Sequence, residues 1–155
     1  MEILFEQIDF RAFVPLVTAV VLGGLIGLER EIHQKPAGLR TNILICMGAA
    51  TFIVMANRMS AGPDTIARMT AGIVAGIGFI GGGTVLRGQT NIYGITTAAT
   101  IWVVTSIGIA CGMQFYDIAV AVTLLSLLVL TVLNPLDRRI HKPRNKAEDK
   151  HTDHD

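Results

Sequence analysis

Residues 118–133 read IAVAVTLLSLLVLTVL, a run with no charge, no proline and no glycine, set between Asp117 and Asp137. The uncharged gap between those two aspartates is 19 residues, close to the roughly 20 that an α-helix needs to cross about 30 Å of hydrocarbon. Working back along the chain, the same pattern recurs. Gaps of 17, 17, 18 and 29 uncharged residues separate Arg11 from Glu29, Arg40 from Arg58, Arg68 from Arg87, and Arg87 from Asp117. The five gaps hold 100 of the 155 positions, and the shorter ones suit a locally thinned bilayer. Overall, 51% of residues are hydrophobic and 16% are charged, with a mean hydropathy of +0.53, whereas a soluble domain carries about 25% charge. The expected fold is therefore all-α, a polytopic membrane bundle of about five transmembrane helices. A soluble enzyme, a nucleic-acid binder and a disulfide scaffold are disfavoured.

Local chemistry predicts helices over 12–28, 41–58, 67–86, 94–113 and 118–133. Pro15 falls near the start of the first, and Pro36, Pro63, Pro135 and Pro143 are expected in loops or beyond helix ends. The reading gives one transmembrane domain over 1–137 and a charged, solvated tail over 138–155. His151 and His154, beside Asp153 and Asp155, are assigned to that tail rather than to a metal. Glu2, Glu6 and Asp9 precede the first basic residue, the reverse of a signal peptide, so the N-terminal segment is expected to be kept. Cys46 and Cys111 lie in separate apolar runs without metal or redox spacing and read as small packing residues.

Threading five spans places ten Lys and Arg on one side (Arg30, Lys35, Arg40, Arg87, Arg138, Arg139, Lys142, Arg144, Lys146, Lys150) and three on the other (Arg11, Arg58, Arg68). The richer side is expected in the cytoplasm, with the N-terminus outside and the C-terminus inside. Without the tail the count is four against three and gives the same direction.

Fourteen of the sixteen glycines fall in the uncharged runs. The pairs Gly23/Gly27, Gly72/Gly76, Gly78/Gly82 and Gly108/Gly112 each form GxxxG, which lets helices approach closely where lipid supplies no hydrophobic drive. Packing within the monomer is the leading expectation and packing between protomers the other. The glycine-free fifth span is expected at the periphery. The string 76-GIGFIG-81 matches the dinucleotide fingerprint by letter only, since position 96 is Thr and no acid precedes Asp117.

The topology gathers unusual polar residues at the cytoplasmic interface. Glu29, Arg30 and Glu31 end the first span, and Arg40, Thr41 and Asn42 open the second. Gly81, Gly82, Gly83 and Arg87 end the third, and Asn91, Thr96, Thr97 and Thr100 open the fourth. Three consecutive glycines invite a helix break, and irregular backbone at membrane depth must be buried in protein or line water. A polar, cytoplasm-facing cleft is expected. Helix N-termini and Arg30, Arg40 and Arg87 would favour an anion, or pairing with Glu29 and Glu31, over a bare divalent cation. Snorkelling, pairing and capping are the competing explanation, strongest for Glu31 and Lys35. Trp102, midway along its helix, reads as packing, with cavity lining as the alternative. No nucleophile, base and orienting group occur at interpretable spacing, so no enzyme is expected.

The strings 25-LIGLEREIHQKPAGLRTNILICMGAA-50, 69-MTAGIVAGIGFIGGGTVL-86 and 91-NIYGITTAATIWVVTSIGIACG-112 closely resemble the MgtC/SapB family of bacterial inner-membrane proteins. The resemblance covers about Leu16 to Leu133. It implies five helices, the short SapB-like form without a C-terminal ACT-like domain, and a role in adaptation to low magnesium or envelope stress, with virulence in the MgtC branch. It carries over Glu29, Arg30, Arg40, Thr41, Asn42, Gly81, Gly82, Gly83, Asn91, Thr96 and Thr97 as functional positions. No metal site and no cofactor are expected. The partners weighed are the lipid bilayer, a second copy of the chain, another membrane protein such as the F-type ATP synthase, and a small ion or solute; nucleic acid is not among them. Small transporter or channel and regulatory subunit stand as alternatives.

Overall fold

The fold comes from a computed structural model, which describes residues 13–59, 62–87 and 92–140. Among these, five helices are long and apolar enough to cross a membrane. In chain order they are α1 (Phe13–Ile32), α2 (Leu39–Arg58), α3 (Pro63–Gly83), α4 (Ile95–Gly112) and α5 (Tyr116–Ile140). Between α3 and α4 lie two antiparallel two-residue strands, β1 (Leu86–Arg87) and β2 (Ile92–Tyr93), with Leu86 opposite Tyr93. The expected all-α polytopic bundle is what the chain forms.

Several helix limits differ from the sequence reading. Hydropathy stops α1 at the first charge, yet the helix continues another turn to Ile32 and takes Glu29 and Arg30 with it. It ends in a Schellman arrangement, with Lys35 N–H donating to the Arg30 carbonyl and Gln34 N–H to that of Glu31, and with Gln34 at φ 52°. The same device closes α4 at Gln114, φ 63°. Pro63 is the first residue of α3 rather than part of the loop before it, a position where its missing N–H is harmless. Pro135 lies inside α5, which runs on to Ile140. The triple glycine does not break α3: the helix passes through Gly81, Gly82 and Gly83 and stops after them, where Thr84 Oγ1 donates to the Gly81 carbonyl at 2.7 Å.

The main core joins four helices through Ala19, Leu22 and Ile26 of α1, Cys46 and Ala50 of α2, Val104, Ile107 and Cys111 of α4, and Ala119 of α5. Both cysteines are buried and free, as packing residues should be. The buried hydroxyls of Thr105 and Thr123 each donate to the carbonyl four residues earlier at 2.8 Å, which satisfies them without water. α2 is the hub, running along both α1 and α4.

Glycine makes those contacts close. A Cβ on Gly23 would stand 2.6 Å from Cys46 Cβ, one on Gly27 2.8 Å from Leu39 Cα, and one on Gly112 2.7 Å from Ile53 Cβ; one on Gly108 would collide with the Cys46 carbonyl. The first and fourth GxxxG pairs therefore pack helices within the monomer. The two pairs on α3 do not, since a Cβ on Gly72, Gly76, Gly78 or Gly82 would meet nothing within 4 Å. α5 is peripheral as expected, and α3 is equally exposed. Trp102 is 53% exposed and is not a packing residue within the bundle: it sits on the outward side of a helix whose buried positions include Ile101, Val104, Thr105 and Gly108.

Candidate functional site

One end of the bundle is built where α1 and α3 finish and α2 and α4 begin. The tight α1–α2 approach at Gly27 brings the end of α1 onto the start of α2. Gly81 rests on Ala98, with its Cβ position 3.8 Å from Ala98 Cβ. Gly94 has φ +89°, and a side chain there would collide with the Thr84 carbonyl, so the hairpin returns to start α4 only with glycine at this point.

Within that end, the helical extension of α1 buries two opposite charges. Glu29 is 7% exposed and Arg30 3%. Arg30 Nη1 lies 3.7 Å from Glu29 Oε2. At the rim, His33 Nδ1 is 3.0 Å from Glu29 Oε1 and donates to the Glu29 carbonyl at 2.8 Å, a tautomer assigned from that acceptor. The pair is not saturated. Both Glu29 carboxylate oxygens and Arg30 Nε are buried without a hydrogen-bond partner among the described residues. Such groups are rare in folded proteins and point to a bound water, an ion or a functional role.

Asn42 is fully buried and organises the turn that covers this end. Its Nδ2 donates at 2.8 Å to the carbonyls of both Ala37 and Gly38, while its Oδ1 is left unpartnered. The turn thereby sets Ala37 against Ile77 of α3 and Ile101 of α4. Glu31, read from sequence as a snorkelling or pairing residue, instead accepts the Leu39 N–H at 2.9 Å. The α2 N-cap, Gly38, offers no side chain, so Glu31 supplies both an acceptor and a negative charge at the positive end of α2.

The other expected positions divide. Thr97 is buried, as is Thr100, whose hydroxyl donates to the Thr96 carbonyl at 2.8 Å. Gly81 is buried, whereas Gly82, Gly83, Arg40, Thr41 and Thr96 are exposed. Arg87 contributes backbone to β1, and Asn91 lies outside the described residues. His33 and Ala37 were missed. His33 carries a sequence signal, its i+4 spacing from Glu29; Ala37 carries none. Among the described residues no three His, Cys, Asp or Glu side chains are grouped to hold a metal ion. The arrangement is a buried Glu29–Arg30 pair with more unmatched acceptors than donors, suited to water or a small donor-bearing guest.

Comparison with known proteins gives a consistent result. Residues 16–139 match the MgtC family. The chain is 41% identical over 143 residues to "Protein MgtC" of Salmonella typhimurium strain 14028s, covering 92% of this chain and 61% of that protein. It is 42% identical over 121 residues to "Protein MgtC" of Brucella abortus strain 2308, covering 78% of this chain and 50% of that one. The chain thus spans between half and about three fifths of the length of the curated relatives it matches. No solved structure matches.

Proposed function

This chain belongs to the MgtC family, and from that premise we propose that it is a non-enzymatic protein of the bacterial inner membrane acting in adaptation to low magnesium or envelope stress. In this reading the polar end of the bundle faces the cytoplasm and binds a small ion, solute or membrane partner. One observation carries it: a Glu29–Arg30 pair at a helix end, buried yet left with unmatched hydrogen-bonding atoms, two and three residues past the Gly27 contact with the start of α2, where Asn42 is equally buried and half-satisfied. A pair kept for stability alone is poor value, because apolar residues of similar volume commonly stabilise as well. Lys35 and Arg40 in the adjoining turn and helix start support the cytoplasmic assignment.

The test is growth in low magnesium of a strain that depends on this protein. The double variant Glu29→Met/Arg30→Met, which removes both charges together, is expected to abolish growth while membrane-fraction protein levels stay at those of the parent; exposed Thr41→Ala is expected to leave growth intact. Full growth with the double variant would reduce the cluster to packing.

A further inference from the structure

α5 outruns the hydrocarbon it crosses. It is 25 residues long, about 37 Å at the helical rise, against about 30 Å for the apolar core of a bilayer and about 40–45 Å with the headgroups. Its apolar window closes at Leu133, yet the helix continues to Ile140 and carries Arg138 and Arg139 with it. These two stand about 8–9 Å past Leu133 along the axis, which is headgroup depth.

The sequence from Arg138 onward is divided by charge. Residues 138–146, RRIHKPRNK, hold five Lys and Arg and no acid, whereas residues 147–155, AEDKHTDHD, hold four acids and one Lys. Membrane threading accounts for basic residues on this side but not for that division, because Asp and Glu contribute little to orientation. α1 and α5 cross in the same direction, so the turn after α1 shares this end of the bundle. There Lys35 and the exposed Arg40 make no ion pair among the described residues. Glu31, the exposed acid between them and the buried pair, is engaged by the Leu39 N–H.

We propose that residues 138–146 bind the headgroups of anionic phospholipids, with Lys35 and Arg40 extending the same cationic rim, and that residues 147–155 are held off the surface by their own charge. An anionic leaflet attracts each juxtamembrane Lys or Arg within about one Debye length, about 10 Å at 0.1 M salt, and repels Asp and Glu over the same range. α5 delivers Arg138 and Arg139 inside that range, so the contact starts from a helix already in place. The inference needs the five helices to span the bilayer and is independent of what the Glu29–Arg30 pair binds.

The test uses the full chain in nanodiscs of phosphatidylcholine alone or of equal parts phosphatidylcholine and phosphatidylglycerol, each containing a lipid with a nitroxide on its headgroup. A thiol-reactive fluorophore is placed at Asn145→Cys or at Thr152→Cys; Cys46 and Cys111 are buried. Quenching at position 145 is expected to be at least about twofold stronger with phosphatidylglycerol present, and to fall to the phosphatidylcholine level at about 1 M salt, where screening shortens to about 3 Å. Combining Arg138→Gln, Arg139→Gln, Lys142→Gln, Arg144→Gln and Lys146→Gln is expected to remove the difference between the two lipids. The label at position 152 is expected to stay weakly quenched throughout. Equal quenching at position 145 in both lipids overturns the proposal, as does a difference that survives high salt or the five substitutions. Quenching at position 152 as strong as at 145 overturns it too, since charge would then not sort the two blocks. The salt arm needs only the labelled chain, so it decides the matter if the fivefold variant fails to insert.

Discussion

Glu29 and Arg30 are costly to bury singly and tolerable together. Arg30→Met is therefore expected to destabilise the detergent-solubilised protein by about 3–5 kcal/mol, because it leaves the Glu29 carboxylate uncompensated. The double variant Glu29→Met/Arg30→Met should recover most of that loss in the same unfolding titration, even while function is gone. A double variant as unstable as Arg30→Met would show that the pair is held by something other than mutual compensation. A second residue-level prediction concerns Gln34, a non-glycine residue at φ 52°. Gln34→Gly should raise stability by about 1 kcal/mol, since the left-handed conformation burdens a residue with a Cβ by roughly that much; an unchanged or lower melting temperature would contradict it. That same glutamine explains why the end of α1 was hidden in the sequence. The usual stop signal is glycine, and an unremarkable Gln after a burst of charge made Leu28 look like the boundary. The pair Glu29 and Arg30 was legible as a candidate site, but its burial was not, because burial followed from one extra helical turn.

Among the elements, glycine spacing marked which faces were small without showing which were occupied. Gly108 and Gly112 sit against Cys46, Ala50 and Ile53 of α2, whereas Gly78 faces open space. Gly108→Ala and Gly112→Ala should each destabilise the bundle by about 1–3 kcal/mol through overpacking. Gly78→Ala should be neutral or gain up to about 1 kcal/mol of helix propensity. Thermal unfolding in one detergent would separate the two classes, and equal loss at all three positions would mean that α3 is buried after all. From sequence alone the GxxxG pairs on α1, α3 and α4 are indistinguishable, because the motif records small side chains and not what lies across from them. The fifth span was legible as peripheral since leucines and valines crowd every side of it. Trp102 misled for the opposite reason: its depth suggested packing, but its helical phase, one residue past Ile101, turns it outward.

Across the whole molecule, the spacing of charges revealed five spans because each apolar run approaches the thickness of the bilayer. It could not reveal that Asn42 pins the turn onto α3 and α4, a long-range contact with no local sequence signature. The antiparallel threading gives alternate turns to opposite faces, so the turn carrying Lys35 and the one carrying Gly62 must lie in different compartments. Cysteine accessibility in intact cells measures this directly, using a membrane-impermeant maleimide and variants Lys35→Cys and Gly62→Cys. Labelling of Gly62→Cys from outside, with Lys35→Cys labelled only after the cells are opened, is the expected outcome. External labelling of Lys35→Cys would put the Glu29–Arg30 end on the wrong side of the membrane and contradict the assignment of a cytoplasm-facing site.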